Sequence, residues 1–188
     1  MMLETLLLMA SALPTQDFKP DDVRAVAVAI ADEIDDDPRE AATLLETAYE
    51  ESRFKPNAIG DHGAAFGVYQ LHRVPMYVGF DLHLATPIAR DRLRSSAELC
   101  PGAPLAPYIG GCHNRTARRV SAHRLAIVER LVRRASDSPK SSLRERLFSH
   151  ALAAVLGGQG GRLPSRSRYP FARLRLEGRD ERRQGSSS

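Results

Sequence analysis

The stretch "DPREAATLLETAYEESRFKP", residues 37–56, constrains the fold more than any other part of the chain. Pro38 has no amide hydrogen, and the first turn of a helix is where that hydrogen would lack a partner anyway. Pro56 sets the opposite boundary by disfavouring helical backbone at Lys55. Between them Ala41, Leu44, Leu45 and Ala48 recur at helical spacing, so a helix is expected from Pro38 to near Phe54. Its end carries two adjacent glutamates. At about 3.6 residues per turn, Glu51 and Ser52 continue the face of Ala41, Leu44, Leu45 and Ala48. Glu40, Thr43, Glu46, Thr47, Glu50 and Arg53 fall on the other face. Glu51 is therefore expected to aim inward and Glu50 at water.

A carboxyl placed like Glu51 loses hydration and meets the negative end of the helix dipole, an environment that suits a general acid. The helix alone leaves a second reading open, a partly solvated helix-end residue with no chemistry. The residues that follow add a pattern. After Glu51 come Ser52, Phe54, Pro56 and Ala58, then Gly60, Gly63, Gly67 and Gln70. This order resembles the signature of the soluble lytic transglycosylase and goose-type lysozyme group, Glu-Ser-x-Phe-x-Pro-x-Ala followed by a glycine-bearing turn and Gly-x-x-Gln. The likeness is dense over residues 48–72 and weaker onward to residue 132.

The resemblance implies a lysozyme-like fold, mainly α with a small β-hairpin or irregular element. It also implies that Glu51 is the catalytic acid/base of a peptidoglycan-cleaving enzyme. On the same basis Gly67, Val68, Tyr69 and Gln70 line the sugar cleft, Ser52 helps hold the site, and "APYIGG" supplies a tyrosine beside the glutamate, Tyr108. Two departures stand out. The turn "GDHGAAFG" has one residue more between its last two glycines than the common pattern, and Ile109 stands where an Asn usually follows the tyrosine.

Glycoside cleavage normally needs two carboxyl groups, and the motif positions one. That fits lytic transglycosylase chemistry as the resemblance implies it: the substrate's N-acetyl group and 6-hydroxyl assist, and the product ends in 1,6-anhydro-N-acetylmuramic acid. Asp61 is the candidate second acid, for a lysozyme-type hydrolase that positions water; the other reading is a turn residue, since Gly-Asp-x-Gly is ordinary turn chemistry. Phe66 and Tyr69 could flank sugar rings or pack inside. A third function, from another class, is a non-catalytic wall-binding protein on the same scaffold, motivated by Ile109. The implied partner is the peptidoglycan glycan strand, met by a monomer in the periplasm, outside the cell or on a virion, with no cofactor.

Around this segment the chain reads as helices. "KPDDVRAVAVAIADEIDDDP" spaces Val23, Val26, Ala27, Ile30 and Ile34 for a helix after Pro20 with acids in its first turn. Residues 57–67 read as turns with a short irregular or hairpin element. "TPIARDRLRSSAELC" reads as a short helix, and a loop with Pro101, Pro104 and Pro107 follows. In "TARRVSAHRLAIVERLVRRAS", Val120, Ile127, Val128, Leu131 and Ala135 share one face while Arg119, Arg130, Arg133 and Arg134 lie away from it. This arginine-rich face is expected to be solvated. A further helix is expected over residues 142–156, ending at Gly157-Gly158, and a disordered basic tail over 157–188.

With 188 residues, 43% of them apolar, the chain can bury one substantial core. We place the lysozyme-like domain at 21–156, preceded by residues 1–20, whose apolar run "MMLETLLLMASALPTQ" reads either as a degenerate signal or as a first helix. No run reaches the roughly 20 apolar residues of a membrane span. Charge is uneven: residues 1–112 carry 9 Lys and Arg against 17 Asp and Glu, residues 113–188 carry 18 against 6. A basic half is drawn to an anionic polymer, which could be the wall, a membrane or nucleic acid. No nucleic-acid-binding signature accompanies the arginines, so nucleic acid is not expected. Cys100 and Cys112 are close enough to close a disulfide or to stay as free thiols. With His113 and His123 they do not match zinc spacing, so no metal is expected.

Overall fold

The structure is a computed structural model that describes residues 1–14 and 18–137. The helix read over 142–156 and the tail over 157–188 lie outside the described residues. Seven helices and one small sheet occur among those described: α1 (Met2–Ala10), α2 (Pro20–Glu33), α3 (Pro38–Ser52), β1 (Ile59–Gly60), β2 (Ala65–Phe66), β3 (Leu71–His72), α4 (Met76–Phe80), α5 (Leu82–Leu99), α6 (Ala106–Ile109) and α7 (Arg115–Asp137). The mainly helical class with a small β element is as expected. No helix among the described residues is long and apolar enough to cross a membrane.

α3 is the axis of the fold, in contact with α1, α2, α5 and α7. It starts as its sequence dictates: Asp37 accepts hydrogen bonds from the amides of Arg39 (2.9 Å) and Glu40 (3.0 Å), with Pro38 next to the cap. It ends at Ser52 because Arg53 and Phe54 both turn left-handed, with φ of 56° and 61°. The Phe54 amide reaches back to the Ala48 carbonyl (3.2 Å) and the Arg53 amide to Tyr49 (2.9 Å), satisfying carbonyls the helix leaves open. Phe54 is thereby driven into the core, where it meets the rings of Phe18 (5.3 Å) and Tyr49 (5.8 Å).

α2 begins with Pro20 and two aspartates and buries Val23, Val26, Ala27, Ala29 and Ile30. The N-terminal run forms α1, with Leu6, Met9 and Ala10 in the same core. α5 starts four residues earlier than its sequence suggested, because Asp81 caps it by accepting from the amides of His83 (2.9 Å) and Leu84 (3.3 Å). Pro87 then lies inside the helix rather than at its start.

The sheet is three two-residue strands in the order β1-β2-β3, both pairs antiparallel, with Ile59 opposite Phe66 and Phe66 opposite Leu71. Gly67, just after β2, has φ of +76°, and a Cβ there would run into the Gly79 carbonyl oxygen of α4. Gly63 has φ of +93° but open space around it. Gly67→Ala is expected to cost about 4 kcal/mol, a clash added to backbone strain, and Gly63→Ala only the strain, about 1–2 kcal/mol. Chemical denaturation of the two variants measures the difference.

The disulfide reading is corrected here. Cys100 and Cys112 are free thiols. Cys112 Sγ donates to the Leu99 carbonyl (3.5 Å), and its contact with the Cys100 thiol pushes its own thiol up from the ordinary value.

Candidate functional site

The end of α3, the sheet, α5, α6 and the middle of α7 enclose a groove of about 710 Å³. Glu51 opens into it, as do Glu50, Asp61, Gln70, Tyr108 and Arg124. A larger hollow of about 980 Å³ lies beyond Glu50, among α1, α3 and the end of α7. It lacks Glu51, Arg124 and Tyr108, so the smaller groove is the one with chemistry to offer.

The feature the sequence did not announce is beneath Glu51. Arg124 Nη1 donates to Glu51 Oε1 at 2.8 Å, while Arg124 Nε lies 2.9 Å and 3.0 Å from the two carboxylate oxygens of Glu46. Glu46 is wholly buried and Arg124 is 4% exposed. Burial pushes the Glu46 carboxyl up; Arg124 opposes this, and the nearby Glu50 and Glu51 carboxylates add to it. Burial works against the Arg124 charge, but its two carboxylate partners outweigh that and hold the guanidinium above its ordinary value. Arg124 Nη2 is buried with no hydrogen-bond partner in the protein.

Two expectations are thereby corrected. Glu46 and Thr47 are not on a water face, because α3 is surrounded and buries nine of its residues, both of them included. The arginines of α7 are not all solvated: Arg124 lies between Val120 and Ile127–Val128 along the apolar stripe and turns inward with it. Glu50 and Glu51 are also less different in exposure than helical phase implies, at 30% and 26% of the side chain. They differ in partner. Glu50 faces the half-exposed Arg53 at 3.6 Å, and Glu51 faces a buried arginine.

Tyr108 stands over the groove from α6, its hydroxyl donating to the Tyr69 carbonyl at 2.6 Å. Burial first, and then the Glu51 carboxylate, push its phenol up, so it stays a neutral donor. α6 is tied to α7 by the Leu105 amide, which donates to Ser121 Oγ (3.1 Å). Ile109 packs against the core, and Tyr108 is oriented without the amide that usually follows it. Gln70, at φ of 47°, folds its side chain back so that Nε2 donates to the Gly67 carbonyl (2.9 Å), and a Cβ on Gly60 would collide with its Oε1.

The remaining residues of the motif do not line the groove. Val68 and Tyr69 are fully buried; Tyr69 Oη lies 3.3 Å from Thr86 Oγ1, and burial pushes its phenol well up. Gly67 is held against Gly79, and Ser52 Oγ donates to the Ala48 carbonyl of its own helix at 3.1 Å. Their placement beside the cleft is thus structural: they set Gln70 and Tyr108 rather than present side chains. Phe66 packs edge-on against Phe80 (6.1 Å).

Asp61 does reach the groove, but as half of a pair: its Oδ2 lies 2.8 Å from His72 Nε2, and the His72 carbonyl accepts from Arg92 Nη2 at 2.7 Å. Both side chains of the pair are largely exposed, at 69% and 49%. Among the described residues no cluster of three or more His, Cys, Asp or Glu could hold a metal ion.

No family model, curated protein or solved structure matches this chain. What the groove can do follows from its own side chains: one carboxyl, Glu51, held by a buried cation; one neutral phenol; one amide; and across from them a carboxylate–imidazole pair.

Proposed function

We propose that the chain cleaves peptidoglycan at the β-1,4 bond between N-acetylmuramic acid and N-acetylglucosamine, as a lytic transglycosylase with Glu51 as general acid and then base. The observation that carries this reading is the position of Glu51: the end of a buried helix, open to a groove, ion-paired below to Arg124 and beside a neutral tyrosine. Spacing from Glu51 to Gln70 supports it independently.

In this reading Glu51 protonates the departing glycosidic oxygen as the bond breaks and the ring carbon gains oxocarbenium character. The substrate's N-acetyl group covers that carbon. Its own 6-hydroxyl then closes on the same carbon, and Glu51 takes the hydroxyl proton back. No water enters. Tyr108 and Gln70 are the groove's polar side chains for holding the sugars in place, and the conversion needs no cofactor.

A second reading rests on Asp61 and His72, which line the same groove and could position a water for lysozyme-type hydrolysis. Mass spectrometry of digested sacculi, with wild type and Asp61→Asn, separates the two. Anhydro ends from the wild type, and a rate within about tenfold in Asp61→Asn, are expected. Reducing ends one water heavier, with a loss in Asp61→Asn of the roughly 10²–10⁴-fold that a positioned acid or base supplies, would move the assignment to the hydrolase. Binding to sacculi with no soluble fragment released would make this a wall-binding protein that does no chemistry.

A further inference from the structure

Glu46, Arg124 and Glu51 form a closed electrical unit, and counting its charge goes beyond naming Glu51 as the acid, on which the inference rests. One guanidinium bridges two carboxyl groups, at 2.9 and 3.0 Å on one side and 2.8 Å on the other. With no proton on either carboxyl the unit carries one negative charge; with two it carries one positive charge; with one proton it is neutral. A net charge in a site this buried is costly, so neutrality selects the singly protonated state.

The groups facing the unit do not upset this count. Glu50 is matched by Arg53 and Asp61 by His72. Tyr108 is neutral, and Arg92 from α5 is engaged with the His72 carbonyl. His123, next to Arg124 in sequence, lies in the wall of the other hollow.

We propose that Glu46 and Arg124 are positioning residues that make the two carboxyls share a single proton, and that this sharing lets Glu51 act first as acid and then as base. When Glu51 gives its proton to the leaving oxygen, the unit becomes anionic beside a sugar ring turning cationic, and attraction between them favours the transition state. When the 6-hydroxyl proton arrives, the unit is neutral again. The upward push on Glu46 from burial accords with a carboxyl that shares a proton. Glu46 and Glu51 would then titrate as a pair rather than as two independent acids.

The charge count makes an unusual forecast. In Glu46→Gln the unit is neutral with no proton at all, so Glu51 is left ionised against Arg124. The alkaline limb of the kcat/KM profile on soluble glycan strands is expected to move down by at least one pH unit, roughly a tenfold loss at neutral pH for each unit, with activity recovered at lower pH. In Glu46→Leu/Arg124→Met only Glu51 remains, neutral when it carries one proton, and the alkaline limb is expected to return toward that of the wild type. A merely structural network would behave oppositely, the double variant being worse than the single. An unmoved profile in Glu46→Gln, or no recovery in the double variant, overturns the proposal.

Carboxyl titration by ¹³C NMR of the wild-type chain tests it without any substrate. One proton shared by Glu46 and Glu51 at neutral pH is expected, and two fully ionised carboxylates there would refute it. If the wild type releases nothing from sacculi, the proposed enzyme activity fails while this titration still decides whether the proton is shared.

Discussion

Glu51→Gln is expected to lower release of soluble fragments from purified sacculi by roughly 10²–10⁴-fold, the contribution typical of a positioned general acid, while leaving the fold intact. Glutamine keeps the shape but has no proton to give at the glycosidic oxygen. It also leaves Glu46 and Arg124 as a neutral buried pair, still bonded through Arg124 Nε, so the melting temperature should move by only a few degrees. Glu50→Gln is the matched control. It removes a partner from the half-exposed Arg53 at 3.6 Å, an interaction worth about 0–1 kcal/mol, and should leave fragment release within a few-fold of wild type. Equal losses in the two variants would remove Glu51 from its role, and a collapse of the melting temperature in Glu51→Gln would make its lost activity a folding defect.

Much of this site could be read from residue order, and the parts that could not share a cause. Pro38, Asp37 and Pro56 act on their immediate neighbours, so the limits of α3 were legible, and so was the position of Glu51 at its end. The amphipathic division of α3 failed because the helix is surrounded: where all sides are buried, a face labelled polar still has to go inside, and Glu46 went with it. Its partner Arg124 lies 78 residues away, a distance across which spacing carries no information. A signal was nevertheless present, since Val120, Arg124, Ile127 and Leu131 follow the apolar stripe of α7 and a charge inside such a stripe calls for a buried counter-charge.

The segment between α3 and α4 was legible as turns but not as a shape. Six residues other than glycine, Arg53, Phe54, Asp61, His62, Gln70 and Arg73, have positive φ there. Such backbone is held by what surrounds it rather than by residue type. Val68 and Tyr69 show the same limit: their order in the motif placed them near the groove, and the direction of their side chains depended on β2, α4 and Thr86.

Arg124→Met is expected to be the most destabilising change at the site, by about 3–5 kcal/mol, because it strands a buried carboxylate without its cation. For a chain of this size that is a fall in melting temperature on the order of 10 °C. The deficit should depend on pH in a definite direction. Glu46 titrates above its ordinary 4.5 in the folded protein even with Arg124 present, and loss of the guanidinium raises it further. A carboxyl whose folded value exceeds its unfolded one stabilises the fold when protonated. The deficit is therefore full above the raised folded value, and it shrinks as pH falls from there toward the ordinary 4.5. Thermal melts of Arg124→Met from pH 8 down to about pH 4.5 should converge on those of the wild type. Glu46→Leu/Arg124→Met should remove both the deficit and its pH dependence, since apolar side chains can replace a buried ion pair at little or no cost. A deficit that stays constant with pH would mean that Arg124 stabilises the fold by packing its stem between α3 and α7, and that Glu46 carries no stranded charge when the arginine is gone.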